Sequence, residues 1–252
     1  MEKVAIVAGG AKSLGKYLAT GLHSNGYKVV VLDIDNNNLD KLKAENPSID
    51  TYLCDLTSEQ DVVKVFKEIE NKYTTIDTLI YNAGWAKSSK ITDFEYADFI
   101  KSVKINLDGY FLTAREASKI MIKSNADGKI IQINSKSGRV GSKHNSGYSA
   151  AKFGGVGLTQ SLALDLAEHN IRVNSLMLGN LLDSEMFESL IPQYAKKLNI
   201  KESEVKQLYI DKVPLKRGCS FEDVLNVLLF YISDKASYCT GQSINITGGQ
   251  VM

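Results

Sequence analysis

Short apolar runs alternate along this chain with longer segments whose apolar residues recur at helical spacing. The short runs are continuously apolar instead of alternating with polar residues, which is typical of strands buried on both faces. Between them lie amphipathic segments such as residues 60–73. The predicted strands are Val4–Val7, Val29–Leu32, Thr51–Leu53, Thr78–Tyr81, Ile130–Ile133, Val173–Leu178 and Ser243–Ile246.

This alternation predicts an α/β fold, with one doubly wound parallel sheet of about seven strands and helices on both faces. No linker, repeat or low-complexity segment interrupts the pattern, so we expect a single domain over residues 1–252. The segment near 180–212 fits the pattern poorly, because it is polar and mildly helical and lies between two strand signals. We expect it to be an insertion that covers the substrate.

The composition excludes several classes of function. The formal net charge is +1, which provides no overall basic field to attract nucleic acid. Cys54, Cys219 and Cys239 are widely spaced, and no cluster of His, Asp and Cys predicts a metal site. No apolar stretch is long enough to span a bilayer, and no signal peptide is evident. We therefore expect a cytoplasmic protein without nucleic-acid, membrane or metal partners.

A glycine-rich turn, residues 8–15, follows the first predicted strand and precedes a helical pattern. Glycines permit a tight turn, and they let backbone N–H groups approach a pyrophosphate at the helix N-terminus. A plain glycine-rich turn with no ligand is the competing interpretation. The predicted cofactor-binding positions in this turn are Gly9, Ser13, Leu14 and Gly15.

The end of the second strand favours NAD over NADP. Asp33 lies 18 residues after Gly15, near the spacing at which a carboxylate accepts hydrogen bonds from the adenosine ribose. A carboxylate there also repels the 2′-phosphate of NADP. Lys12 favours NADP instead, because its ammonium is able to pair with that phosphate. Turns after the third and fourth strands complete the predicted cofactor site, with Asp55, Leu56, Asn82, Ala83 and Gly84.

Ser135, Tyr148 and Lys152 are the predicted catalytic groups. Tyr148 and Lys152 are spaced i and i+4, so both project from one face of a helix. An ammonium beside a phenol favours the phenolate and lowers its pKa, so Tyr148 would accept the proton of an alcohol as hydride leaves carbon. Ser135 ends a strand, where its hydroxyl would hold the reacting oxygen. Such a pair also occurs on exposed helices, where it contributes little.

Taken together, these motifs resemble the short-chain dehydrogenase/reductase family over the whole chain. The resemblance implies a seven-stranded Rossmann sheet, a homotetramer, and binding of the cofactor by Tyr148 and Lys152. It also implies that Asn106 holds a water that relays protons to Lys152. The chain departs from the family pattern where Ser13 replaces a glycine, where Leu178 replaces a proline, and where Asp183 replaces a threonine. Ser13 offers its N–H only if its φ angle is negative.

Segments 133–155, 213–219 and 237–243 resemble more closely those family members that act on sorbitol 6-phosphate. That resemblance implies reversible NAD-dependent oxidation of D-sorbitol 6-phosphate to D-fructose 6-phosphate. The loop between Ser135 and Tyr148 is independently polar and basic, as a sugar-phosphate substrate requires. Lys136 and His144 are its preferred substrate contacts, with Ser135 and Tyr148 at the reacting carbon. A solvated basic loop is the competing interpretation.

Two other functions remain open at this stage. One is a family member acting on another polyol or on an oxoacyl substrate, although the polar loop argues against acyl chains. The other is a non-catalytic NAD-binding sensor. The intact set of Ser135, Tyr148 and Lys152 argues against a sensor, because a sensor needs no proton acceptor.

Overall fold

Seven strands form one parallel sheet in the computed structural model, which describes residues 3–252. Residues 1 and 2 of the predicted domain lie outside the described residues. The strands are β1 (Val4–Ala8), β2 (Lys28–Asp33), β3 (Asp50–Leu53), β4 (Thr78–Tyr81), β5 (Lys129–Ser135), β6 (Arg172–Leu178) and β7 (Ser243–Ile246). Their order is β3-β2-β1-β4-β5-β6-β7, and every neighbouring pair is parallel. The predicted α/β class and doubly wound sheet are confirmed.

Helices connect the strands and cover both faces of the sheet. They are α1 (Ser13–Ser24), α2 (Asn36–Glu45), α3 (Glu59–Tyr73), α4 (Tyr96–Val103), α5 (Gly109–Lys123), α6 (Ser146–Leu166), α7 (Glu185–Leu198), α8 (Glu202–Asp211) and α9 (Phe221–Ile232). A π-helical turn over Lys104–Asp108 joins α4 to α5. Within residues 3–252, no helix combines the length and apolar character needed to cross a bilayer.

Two apolar cores lie on opposite faces of the sheet. One contains side chains of α3, α5 and α6, among them Phe66 and Tyr110. The other contains side chains of α1, α2 and α9, among them Leu18 and Leu228. Because both faces are covered, the central strands are buried throughout, which explains their continuously apolar sequences.

The segment near 180–212 forms a small helical layer of its own. Helices α7 and α8 enclose a third apolar cluster, in which the rings of Phe187 and Tyr194 lie 5.7 Å apart and those of Tyr194 and Tyr209 lie 5.3 Å apart. Ser184 caps α7, since its side chain accepts a hydrogen bond from the N–H of Phe187. Aromatic packing thus orders a segment whose sequence is only mildly helical.

Arg172 at the start of β6 secures the C-terminal end of α9. Its guanidinium is buried and donates to the carbonyl oxygens of Tyr231 at 2.8 Å, Ala236 at 2.9 Å and Ser233 at 3.1 Å. Carbonyls at a helix C-terminus have no partner within the helix, so a cation satisfies them and also complements the helix dipole.

Replacing Arg172 by Met is expected to lower the free energy of unfolding by about 3 kcal/mol, because buried carbonyls lose a charged donor. The measurement is urea denaturation followed by circular dichroism. Lys235→Met, which removes an exposed cation from the same region, is the control and is expected to change stability by less than about 0.5 kcal/mol. Equal stability of the two variants would show that Arg172 does not secure this helix end.

Candidate active site

A cavity of about 1200 Å³ opens at the carboxyl edge of the sheet. Ligands of open parallel sheets bind at this edge, because the loops after neighbouring strands meet there. Gly15, Asn106 and His144 were predicted for the site but lie outside the cavity lining. The other predicted residues line it: Gly9, Ser13, Leu14, Asp33, Asp55, Leu56, Asn82, Ala83, Gly84, Ser135, Lys136, Tyr148 and Lys152.

The glycine-rich turn packs directly against the turn after β4. The N–H of Gly9 donates to the carbonyl of Leu32 at 2.7 Å, and Asn82 Nδ2 donates to the carbonyl of Gly9 at 2.6 Å. Gly9 has φ +80°, and a Cβ there would lie 2.6 Å from the backbone of Ala83. Gly9 is therefore needed both for its backbone conformation and for the close approach of the two turns.

Two other positions of this turn differ from expectation. Ser13 has φ +48°, in the left-handed region, so the condition of a negative φ is not met. A left-handed residue other than glycine costs about 1–2 kcal/mol, and the turn keeps this conformation although serine replaces the glycine of the family. Gly15 has a packing role instead of lining the cavity, because a Cβ there would lie 2.1 Å from the carbonyl oxygen of Gly9.

The Asp33 carboxylate ties the glycine-rich turn to the end of β2. It accepts the N–H of Ala11 at 3.0 Å and that of Asp35 at 3.1 Å. Lys12, the residue that favoured NADP, forms ion pairs with Asp35 at 3.7 Å and with Glu185 of α7 at 3.2 Å. These acidic partners raise the pKa of Lys12. Lys12 is therefore already engaged by carboxylates, although Lys101 and Lys104 also line the cavity.

The catalytic side chains predicted from the sequence converge in the cavity. Tyr148 and Lys152 lie one turn apart on α6, with Lys152 Nζ 5.5 Å from the centroid of the Tyr148 ring. Lys152 Nζ also donates to the carbonyl of Ile133 at 3.1 Å. Ser135 at the end of β5 hydrogen bonds to the Tyr148 phenol, which lowers the pKa of that phenol. This set is able to orient an alcohol and to accept its proton.

The expected electrostatic effect of Lys152 on Tyr148 requires correction. Burial raises the pKa of Tyr148, and the hydrogen bond from Ser135 only partly offsets this effect. Burial likewise lowers the pKa of Lys152 to about 7, because its ammonium is surrounded by protein and has no carboxylate beside it. In the protein alone, desolvation therefore outweighs the attraction between ammonium and phenolate that the spacing of the two residues predicts.

Asn106 lies in the π-helical turn and is fully buried. Its side-chain amide donates to the carbonyls of Trp85 at 2.7 Å and Ser102 at 2.9 Å, so it anchors the loop after β4. The side chain thus holds protein groups next to the cavity instead of facing it. The proton relay through Asn106 stays a prediction.

Lys136 presents to the cavity an ammonium that has no acidic partner among residues 3–252. Its Nζ donates to Asn180 Oδ1 at 2.8 Å and to Gln250 Oε1 at 2.6 Å, and it lies 5.9 Å from the ring centroid of Tyr209. Burial, together with the charges of other lysines, lowers the pKa of Lys136 to about 8. Asn180, Tyr209 and Gln250 were not predicted, and Gln250 is 114 positions away from Lys136 with no local motif to identify it.

His144 was predicted to contact the substrate, but it is not among the residues that line the cavity. Its φ is +67°, and its carbonyl accepts the N–H of Ser89 at 2.8 Å. Partial burial and neighbouring lysines, first among them Lys143, lower the pKa of the imidazole. Ser142 and Asn145 of the same loop line the cavity, whereas His144 does not, so the contact between His144 and the substrate stays a prediction.

Comparison with known proteins gives consistent similarities. Residues 3–195 match the sequence model of the short chain dehydrogenase family. The chain is 59% identical to sorbitol-6-phosphate 2-dehydrogenase of Escherichia coli (strain K12), with all of both chains covered. Its fold is similar to the crystal structure of sorbitol-6-phosphate 2-dehydrogenase SrlD from Erwinia amylovora, with TM-score 0.94, 57% identity, and 98% and 99% of the two chains covered.

A second solved structure is similar at lower identity. The crystal structure of an NAD⁺-bound xylitol dehydrogenase has TM-score 0.93 and 30% identity to this chain, and 98% of each chain is covered. The fold is thus shared with a dehydrogenase that is only distantly related in sequence.

Gly9→Ala is expected to destabilise the protein more than Gly26→Ala. Both glycines have a positive φ, but a Cβ at Gly26 would meet no atom within 4 Å, whereas one at Gly9 would collide with Ala83. The φ strain costs each variant about 1–2 kcal/mol, and the collision adds to this cost only at Gly9. Urea unfolding of the two variants measures the difference. Equal losses would mean that the close approach of the two turns is unimportant.

Proposed function

The chain belongs to the short chain dehydrogenase family, and on that premise we propose that it catalyses the reversible oxidation of D-sorbitol 6-phosphate to D-fructose 6-phosphate with NAD. It is an oxidoreductase that acts on a CH–OH group. The observation that carries the proposal is one cavity lined by Ser135, Tyr148 and Lys152 and also by Lys136, whose ammonium pairs with no carboxylate of residues 3–252. The substrate is inferred from the 59% identity to a sorbitol-6-phosphate 2-dehydrogenase.

The cavity residues fit a nicotinamide dinucleotide, the cofactor class of this family. Ser13 and Leu14 at the start of α1 line the cavity, so the N-terminus of a helix faces the space that a pyrophosphate requires. Asp33 would accept hydrogen bonds from the adenosine ribose, and the backbone at Ala83 and Gly84 would contact the cofactor. When bound, such a cofactor would supply the acceptor for the hydride and a positive charge in the site.

The proton chemistry belongs to the side chains of this chain. Ser135 would hold the substrate oxygen by a hydrogen bond while Tyr148 accepts the hydroxyl proton at its phenolic oxygen. Tyr148 must first be a phenolate, and a protonated Lys152 stabilises that state. Since Lys152 has a pKa of about 7, it is able both to carry and to release a proton near neutral pH. The reverse reaction returns the proton from Tyr148 to the carbonyl oxygen.

Selection of NAD over NADP is part of the proposal. Asp33 lines the cavity as a carboxylate, and the lysine nearest to it in the turn is engaged by Asp35 and Glu185. An added phosphate on the ribose would meet the negative charge of Asp33, while Lys12 is already engaged by two carboxylates.

The proposed assembly is a homotetramer in the cytoplasm. Phe153 and Leu164 on α6 are 46% and 81% exposed, which is unusual for large apolar side chains and is consistent with a subunit interface. Three cysteines without disulfide partners agree with a reducing compartment.

The deciding experiment is NADH formation with either sorbitol 6-phosphate or sorbitol. The proposal predicts turnover of the phosphorylated substrate and a much lower kcat/KM for sorbitol. Equal activity on both would reject the sugar-phosphate assignment and favour a polyol dehydrogenase. No turnover of either, together with NAD binding, would favour the sensor.

Tyr148→Phe is expected to lower kcat by about 10²–10⁴-fold, the contribution typical of a positioned general base, while the Kd for NAD changes little. Steady-state kinetics and a fluorescence titration with NADH measure the two quantities. Tyr238→Phe, at a fully exposed tyrosine, is the matched control. Retained turnover in Tyr148→Phe would remove this residue as proton acceptor.

Asp33→Asn is expected to raise the ratio of kcat/KM with NADP to that with NAD by about tenfold, because it removes the charge that repels a 2′-phosphate. The amide oxygen still accepts the N–H of Ala11, whereas the N–H of Asp35 loses its acceptor, so the melting temperature of the variant is measured as well. Asp40→Asn, an exposed position on α2, is the control for a general change in charge. An unchanged ratio would show that Asp33 does not select the cofactor.

A further inference from the structure

Two further lysines lie beside tyrosine rings that line the cavity near Lys136, although these two lysines are not themselves part of the cavity lining. Lys197 of α7 has its Nζ 5.7 Å from the ring centroid of Tyr194, and Lys212, immediately after α8, has its Nζ 5.3 Å from that of Tyr209. The two rings line the cavity and pack against each other. Each ring has one of these lysines beside it. The insertion therefore brings two further ammonium groups towards Lys136.

These three lysines form one electrostatic cluster. The charges of Lys212 and Lys197 both lower the pKa of Lys136, and the charge of Lys212 lowers that of Lys197. Among residues 3–252, none of the three forms an ion pair with a carboxylate, whereas Lys206 of α8 pairs with Glu188 at 2.5 Å. A cluster of like charges without counter-ions is costly unless an anion is bound there.

The contacts of the cluster leave it available to an anion. Lys136 is held by the amide oxygens of Asn180 and Gln250, and Lys197 Nζ donates to the carbonyl of Lys143 at 2.6 Å. These neutral acceptors orient the ammonium groups without neutralising them. The carboxylate next in sequence, Asp211, is engaged by the side-chain amide of Gln207 at 2.8 Å.

Two tyrosine rings connect the lysine cluster to the cavity that contains the catalytic tyrosine. Tyr148, Tyr194 and Tyr209 all line this cavity, and Lys197 and Lys212 lie beside the rings of Tyr194 and Tyr209. In sorbitol 6-phosphate, the phosphate is at the opposite end of the carbon chain from the alcohol that is oxidised.

We propose that Lys136, Lys197 and Lys212 together bind the phosphate group of the substrate, so that the insertion selects phosphorylated over free polyols. This proposal rests on the proposed function. Its chemistry is that of a phosphate monoester dianion neutralised by three ammonium groups in a partly enclosed site. The rings of Tyr194 and Tyr209 form one wall of the cavity, and the ammonium groups of Lys197 and Lys212 lie beside these rings.

The test compares Lys197→Gln, Lys212→Gln and the double variant with Lys196→Gln, an exposed neighbouring lysine on α7. Each single substitution is expected to raise the KM for sorbitol 6-phosphate by about tenfold, and the double substitution by about a hundredfold. The kcat, the KM for NAD and the activity on unphosphorylated sorbitol are expected to stay near those of the wild type. Lys197→Arg and Lys212→Arg should restore most of the affinity, because they keep the charge.

A second readout uses inorganic phosphate as the probe. Phosphate is expected to inhibit the wild type competitively with sorbitol 6-phosphate and to raise its melting temperature, and both effects should weaken in the double variant. A wild type that oxidises sorbitol 6-phosphate, with glutamine variants that behave like Lys196→Gln, would overturn the phosphate site and leave the proposed function standing. A wild type without activity on sorbitol 6-phosphate would overturn the function, and the melting shift with phosphate would then decide the site separately.

Discussion

The parallel direction of all seven strands is the constraint on which the candidate site depends. It brings the carboxyl ends of every strand to one edge, so residues far apart in sequence contribute to one cavity. Asp33 ends β2, Ser135 ends β5, and Asn82 follows β4 directly. Any antiparallel strand among these would have placed its residue at the opposite edge. Helices α7 and α8 also contribute residues to the lining of this cavity.

The structure also buries two ammonium groups that have no carboxylate partner among residues 3–252. Lys152 and Lys136 are each held by neutral oxygens, the first by the carbonyl of Ile133 and the second by two side-chain amides. Burying a cation this way is unfavourable, and both pKa values fall accordingly. A phenolate beside Lys152 and a phosphate beside Lys136 would each relieve this cost, so the same electrostatic arrangement serves proton transfer and substrate binding.

Lys12 and Lys136, at the two ends of the cavity, differ in whether they pair with a carboxylate. At the proposed cofactor end, Lys12 is paired with Asp35 and Glu185, and the Asp33 carboxylate stays close by. At the proposed substrate end, Lys136 has no acidic partner among the described residues. This difference agrees with a cofactor that lacks a 2′-phosphate and a substrate that carries a phosphate. Glu185, the partner of Lys12, is the first residue of α7.

Local patterns in the sequence determined the strands, the spacing of Tyr148 and Lys152, and the glycine at position 9, because periodicity and backbone conformation depend on near neighbours. The contacts between residues far apart in sequence were decided by the tertiary structure alone. Gln250 reaches Lys136 only because β5 and the C-terminal segment meet in space. Burial, which no spacing reveals, outweighed the expected effect of Lys152 and raised the pKa of Tyr148. Aromatic packing across α7 and α8 likewise ordered a segment whose sequence lacked a strong helical pattern.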